Sequence, residues 1–175
     1  NELGDGAVDR ANSDGYLWDV AARFAEMGLL GITIPESKGG IGGSLTDAVL
    51  AIQAIAEVCP RSADVVQAGN FGAIRTFAEY ANADQLARFL PDLLAGKGVM
   101  SVGMSEPDAG SSVTELKTSA TPAGEDFLVN GSKVFGPNSG DAKGFLIYLG
   151  CGPGTEGIGS ALIAQGTSGF ALGPV

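Results

Sequence analysis

The spacing of apolar residues changes near Gly96. Before it, they recur at helical intervals. After it, they come in short runs separated by Gly, Pro, Asn and Asp. Leu17, Val20, Ala21, Phe24 and Met27 form an i, i+3, i+4, i+7 stripe, with Ser13 or Asp14 as N-cap and Gly28 as its end. Ser44-Leu45-Thr46-Asp47 has the form of a capping box ahead of an apolar helix that stops at Cys59-Pro60. A third helical segment runs from Ser62 to about Tyr80, with the Ala, Val, Ile and Phe content of a buried element. A fourth starts at Asn82 and carries Leu86, Phe89, Leu90, Leu93 and Leu94, with a break expected at Pro91.

From Val99 the signals are those of strands. Candidates are 99–105, 116–121, 127–129, 145–149, 160–164 and 169–172. Pro122 to Asp126 is turn-like, and Asn130-Gly131 predicts a two-residue hairpin because such turns need positive φ. Helices first and strands second predict an α+β chain. The expectation is an all-α N-terminal domain over 1–97, then an incomplete antiparallel, β-barrel-like domain over 98–175.

Composition narrows the function. The 175 residues are 45% hydrophobic and 17% charged, which is globular rather than disordered. A net charge of −10 argues against nucleic acid, because phosphate backbones are repelled. No apolar run is long enough to span a bilayer, and residues 1–12 lack a secretory signal pattern. Two separated cysteines, Cys59 and Cys151, point to a reducing, cytoplasmic setting rather than a disulfide framework. The absence of histidine removes Ser-His and Cys-His catalysis and most zinc sites, so no metal is expected.

Three segments carry candidate chemistry. Ile34 to Gly43 holds four glycines in five positions, which invites a phosphate-loop reading. It has neither the Walker nor the dinucleotide spacing, and turn chemistry favours a tight interhelical turn. Met104-Ser105-Glu106-Pro107-Asp108-Ala109-Gly110-Ser111-Ser112 follows a strand. It offers hydroxyls, amides and small residues that a ligand can approach closely. Asn130 to Asn138 reads alone as a hairpin with an exposed aromatic. Glu36, Glu57, Glu106 and Glu115 read as surface or capping charges.

Taken in order, these segments resemble the acyl-CoA dehydrogenase family. The motifs are Ile-Pro-Glu with Gly-Gly-x-Gly, Leu90-Pro91-x-Leu93-x-x-Gly96, Ser-Glu-Pro-x-Ala-Gly-Ser, Asn-Gly-x-Lys-x-Phe, and Gly-Thr-Ser-Gly-Phe at 166–170. The resemblance implies an FAD cofactor. It assigns Gly103, Met104 and Ser105 to the flavin's pyrimidine edge, where donors stabilise the charge that develops on reduction. Gly110 lies in the same cofactor loop. Ser111 matches a serine near the FAD pyrophosphate and the pantetheine arm of an acyl-CoA or other acyl thioester. Phe135 matches an aromatic packed on the flavin ring.

Three positions depart from the family. Pro137 stands where a hydroxyl residue commonly donates near flavin N5, Gly136 where a β-branched residue is common, and Ser112 where Asp is frequent. The family's catalytic carboxylate matches none of residues 1–175. The resemblance therefore implies a base in a C-terminal helical domain outside this chain, and either a homo-oligomer or a complementary C-terminal chain as partner. Oxidases and monooxygenases on the same scaffold, or a non-catalytic relative that binds a partner or an acyl thioester, are the alternatives.

Overall fold

The computed structural model describes residues 3–173. The chain divides into two compact units, 1–100 and 101–175. Among the described residues six α-helices come first: α1 (Ala7–Ala11), α2 (Trp18–Glu26), α3 (Leu45–Ala56), α4 (Pro60–Ala68), α5 (Ala73–Tyr80) and α6 (Ala83–Leu94). Five strands follow: β1 (Met100–Gly103), β2 (Ser119–Ala123), β3 (Asp126–Asn130), β4 (Gly144–Gly150) and β5 (Ile158–Ala164). The fold is α+β, as the change of periodicity at Gly96 predicts. Among the described residues the strands form two partial sheets, β1-β4-β5 and β2-β3, and no closed barrel.

In the helical unit, Leu17, Val20, Ala21 and Phe24 pack with Leu30, Val65 and Val66. This is the α2 stripe laid against α4, with Met27 excluded. Met27 is 68% exposed, because the helix ends at Glu26 and Gly28 turns the chain at φ 72°. Neither Ser13 nor Asp14 caps α2. Its N-cap is Leu17, without a side-chain cap bond, and Ser13 instead donates its hydroxyl to the Arg10 carbonyl at the end of α1.

The Ser44–Asp47 capping box forms as expected, and Asn82 and Gln85 form a second one at α6. The segment predicted over 62–80 is two helices, α4 and α5, separated at Gly69–Gly72, where Gly72 takes φ 61°. Pro60 occupies the first turn of α4, where a missing N–H costs nothing. Pro91 does not break α6. The helix runs through it, held by the burial of Phe89, Leu90 and Leu93 on one face.

In the second unit, Ala142, Phe145, Ile147 and Leu149 form the core, with Ala120, Val129, Ala161, Ile163 and Phe170 packed against it. β4 pairs antiparallel with β5 from Gly144↔Ala164 to Gly150↔Ile158. β2 pairs with β3 from Ser119↔Asn130 to Ala123↔Asp126, so the hairpin loop is Gly124-Glu125. Gly124 has φ 71°, and a leading glycine suits a type II′ turn.

Asn130-Gly131 is therefore not a hairpin turn. Asn130 is the last residue of β3, and Gly131 lies where a Cβ would overlap Thr118. Residues 169–172 form no strand either. The Thr167 and Phe170 amides close turns onto Ala164 and Thr167, and Phe170 reaches the core as a single ring, 4.6 Å from Phe145.

Candidate functional site

The glycine-rich segment 34–43 is a tight turn and not a phosphate cradle. The amides of Gly39, Gly40, Ile41, Gly42 and Gly43 all donate to backbone carbonyls, of Glu36, Pro35, Gly31, Ile34 and Ile32. None of those five N–H groups is left for an anion. Gly40 is demanded sterically, since a Cβ there would overlap the Ile34 carbonyl.

The other two segments come together in the second unit. β1 ends at Gly103, and Met104 and Ser105 leave the sheet. Glu106 and Ala109 then close a small loop by exchanging hydrogen bonds: the Glu106 amide donates to Ala109 at 2.9 Å, and the Ala109 amide donates to Glu106 at 3.2 Å. The Val134 amide donates to the Ser105 carbonyl at 2.9 Å, which fastens the stretch after β3 to this loop.

Glu106 is not a surface charge. Its side chain is buried and accepts three hydrogen bonds. Lys133 Nζ donates to Oε1 at 2.7 Å, the Thr118 amide donates to Oε1 at 3.0 Å, and the Lys117 amide donates to Oε2 at 2.7 Å. Burial alone would push this carboxyl up. The bonds from Lys133 and the two amides outweigh it and hold the carboxyl down at about 2. Lys133 also donates to the Met104 carbonyl at 3.0 Å. Its stem needs room beside β1: a Cβ on Gly103 would come 3.2 Å from Lys133 Cγ and 2.7 Å from Ile147 Cδ1. Glu36, Glu57 and Glu115 are exposed, as expected of surface charges.

Phe135 stands two residues beyond Lys133. Its side chain is 92% exposed and its backbone is left-handed, at φ 57°. A phenylalanine gains nothing locally from that conformation, so the surroundings impose it. On one side Val134 is tied to Ser105. On the other, the Ser139 hydroxyl donates to the Gly136 carbonyl at 2.7 Å and meets the Ser101 hydroxyl at 3.1 Å. Pro137 is exposed and Asn138 also has positive φ, 56°.

The structure thus joins Met104 and Ser105 to the Lys133–Phe135 stretch. Gly110 and Ser111 lie further along the same loop, exposed, and a Cβ on Gly110 would meet nothing within 4 Å. Among the described residues the Gly110 and Ser111 amides donate to no backbone oxygen. The residues that sequence reasoning overlooked are Lys133, Ser101, Ser139 and the buried role of Glu106. Glu106 and Lys133 stand inside the Ser-Glu-Pro and Asn-Gly-x-Lys motifs, whereas Ser101 and Ser139 stand in neither.

The arrangement is an exposed aromatic beside a strand end, with hydroxyls and unspent amides along one loop. It suits a flat, hydrogen-bonding ring with an anionic tail. Among the described residues no three acidic or cysteine side chains gather as a metal site would need, and no helix is long and apolar enough to cross a membrane.

Known proteins point the same way. Over 177 residues the chain is 27% identical to the short-chain specific acyl-CoA dehydrogenase of Clostridium acetobutylicum, covering 100% of this chain and 47% of that one. Its fold matches butyryl-CoA dehydrogenase from Megasphaera elsdenii with a TM-score of 0.81 at 24% identity, covering 98% of this chain and 46% of that one. It matches a glutaryl-CoA dehydrogenase from Mycobacterium smegmatis in complex with FADH2 with a TM-score of 0.79 at 23% identity, covering 97% and 41%. The chain spans about half the length of these proteins. Residues 1–97 match the acyl-CoA dehydrogenase N-terminal domain and residues 101–175 the acyl-CoA dehydrogenase middle domain, so the chain belongs to the acyl-CoA dehydrogenase family.

Proposed function

We propose that these residues are the front half of an FAD-dependent acyl-CoA dehydrogenase that converts an acyl thioester to its α,β-unsaturated form. The observation that carries this reading is Phe135, an exposed ring in a costly backbone conformation, pinned beside the Met104–Ser105 strand end. A planar ligand that covers the ring would account for a strained, solvent-facing aromatic.

In this reading Met104 and Ser105 hold the pyrimidine edge of the isoalloxazine, and Phe135 packs on its face. Gly110 admits the close approach of the cofactor's chain. Ser111, with the free amides beside it, takes the pyrophosphate and orients the pantetheine arm of the acyl-CoA. The bound flavin would supply a hydride acceptor. The carboxylate that removes the α-proton is supplied from outside residues 1–175. Glu106, the one buried carboxylate among the described residues, is unsuited to that role. A group held down at about 2 and already bonded to Lys133 is a poor proton acceptor.

Pro137 favours a second reading. It can donate neither a hydroxyl nor an N–H near the flavin. A relative that binds flavin or thioester with altered redox chemistry, as in an oxidase or monooxygenase, or with no chemistry, fits that position better.

The test is the absorption spectrum of the full-length encoded protein, followed by anaerobic addition of butyryl- or octanoyl-CoA. The proposal expects a bound flavin spectrum that bleaches with the thioester. Protein that binds no FAD when reconstituted refutes it. Flavin that binds but is reduced by no thioester favours the monooxygenase or non-catalytic form of the second reading, and flavin that is reduced and then reoxidised directly by oxygen favours its oxidase form.

A further inference from the structure

We infer that Glu106 and Lys133 form a clasp that sets the aim of the Ser105 amide and holds Phe135 in its left-handed conformation, making them positioning residues for the cofactor site. This rests on the functional reading above.

The pair is 2.7 Å apart, with side chains 11% and 4% exposed for lysine and glutamate, and it joins two motifs 27 residues apart in sequence. Burying two opposite charges is costly, and an apolar pair of similar volume commonly serves stability as well or better. The ion pair therefore calls for a second role, and the second contact of Lys133 supplies one. Lys133 Nζ also holds the Met104 carbonyl at 3.0 Å. The peptide between Met104 and Ser105 is planar and trans, so fixing that carbonyl on one side turns the Ser105 N–H to the opposite side.

The next peptide is fixed in the same manner. Its carbonyl, on Ser105, takes the Val134 amide at 2.9 Å, and its N–H, on Glu106, is committed to Ala109 at 2.9 Å. Two consecutive peptides are thus locked, and the Ser105 N–H is the donor among them that the clasp presents outward. The same lysine fixes the chain two residues ahead of Phe135, while Ser101 and Ser139 fix it just behind, at Gly136. The backbone that carries the ring is thereby held from both sides.

The neighbouring ion pair serves as a control. Lys117 and Asp108 lie 2.8 Å apart, but their side chains are 74% and 73% exposed, so the pair is screened by water and contributes little.

The experiment uses the full-length protein and three variants, E106Q, K133M and the neutral double E106Q/K133M, with D108N as control. FAD affinity of the apoprotein, the bound flavin spectrum and the thermal midpoint without flavin are measured for each. E106Q and K133M are expected to weaken FAD roughly 10- to 100-fold, the effect of losing a bond to a charged group. The neutral double strands no charge and is expected to fold with a near-normal midpoint, yet to bind FAD weakly and with a shifted spectrum. D108N is expected to behave as wild type. The clasp is overturned if the neutral double binds FAD with wild-type affinity and spectrum. It is equally overturned if the double does not fold, since the pair would then be structural. Wild-type protein that binds no FAD overturns the functional reading itself, which separates that failure from failure of the clasp alone.

Discussion

Thr33 donates two hydrogen bonds to Asn70, 37 residues away. The Thr33 amide donates to Asn70 Oδ1 at 3.3 Å, and the Thr33 hydroxyl donates to the Asn70 carbonyl at 2.6 Å. Asn70 is fully buried and also donates through Nδ2 to the carbonyls of Leu29 and Val66, each at 2.8 Å. One side chain thus finishes the end of α4 and ties it to the loop that follows α2. Asn70→Ala would leave several buried groups without partners. We expect a loss of about 2–4 kcal/mol in unfolding free energy. Urea denaturation checks this, and a loss below about 0.5 kcal/mol, the scale of a surface change, would contradict it.

Two glycines should behave oppositely. At Gly40 an added Cβ would strike the Ile34 backbone, which cannot yield as a flexible side chain could. Gly40→Ala should cost about 1–3 kcal/mol. At Gly110 there is open space, and Gly110→Ala should change stability by no more than about 0.5 kcal/mol. If a cofactor passes close to Gly110, the same variant should weaken FAD while leaving the thermal midpoint unchanged. Equal destabilisation by both variants would mean that the Gly110 loop is as tightly packed as the turn at Gly40.

The difference between what the sequence discloses and what it hides is one of range. Both helix caps with side-chain bonds, at Ser44 and Asn82, form between residues three apart, and both helix starts were legible. Asn130-Gly131 misled because a dipeptide that favours positive φ also fits the end of a strand. The real turn, Gly124-Glu125, lay in a stretch already recognisable as turn-like. Pro91 misled because the burial of Phe89, Leu90 and Leu93 outweighs one missing hydrogen bond, and burial is a tertiary property. Most of the site fell beyond reach for the same reason. Glu106 meets Lys133 across 27 positions, and Ser101 meets Ser139 across 38. No local pattern distinguishes those residues from ordinary surface polar groups. Resemblance brought forward the loop and the aromatic, but not the contacts that hold them.

Glu106 should leave a mark on acid stability. Its folded pKa of about 2 lies below the ordinary 4.5. The unfolded chain therefore takes up a proton at higher pH than the native one. The stability that Glu106 contributes is fully present above about 4.5 and is lost as pH falls through about 2. The thermal midpoint of the wild type, followed downward in pH, should decline across that window. E106Q should lack this part of the decline, so the gap between the two proteins should narrow as pH falls. A gap that stays constant across the window would mean that Glu106 is not held ionised in the fold.

Phe135 should show a conflict between stability and function. Its left-handed backbone costs a side-chain-bearing residue roughly 1–2 kcal/mol, whereas asparagine enters that region more readily. The ring is 92% exposed, so replacing it forfeits almost no buried apolar surface. Phe135→Asn should therefore stabilise the flavin-free protein, by about 0.5–1 kcal/mol if half of the strain is relieved. The same change removes the ring proposed to lie on the flavin and should weaken FAD roughly 5- to 10-fold, the size of one lost aromatic contact. Chemical denaturation without flavin and FAD titration, run on the same preparations, read the two effects separately. A variant that is less stable and binds FAD normally would invert both expectations, placing Phe135 in a packing role instead.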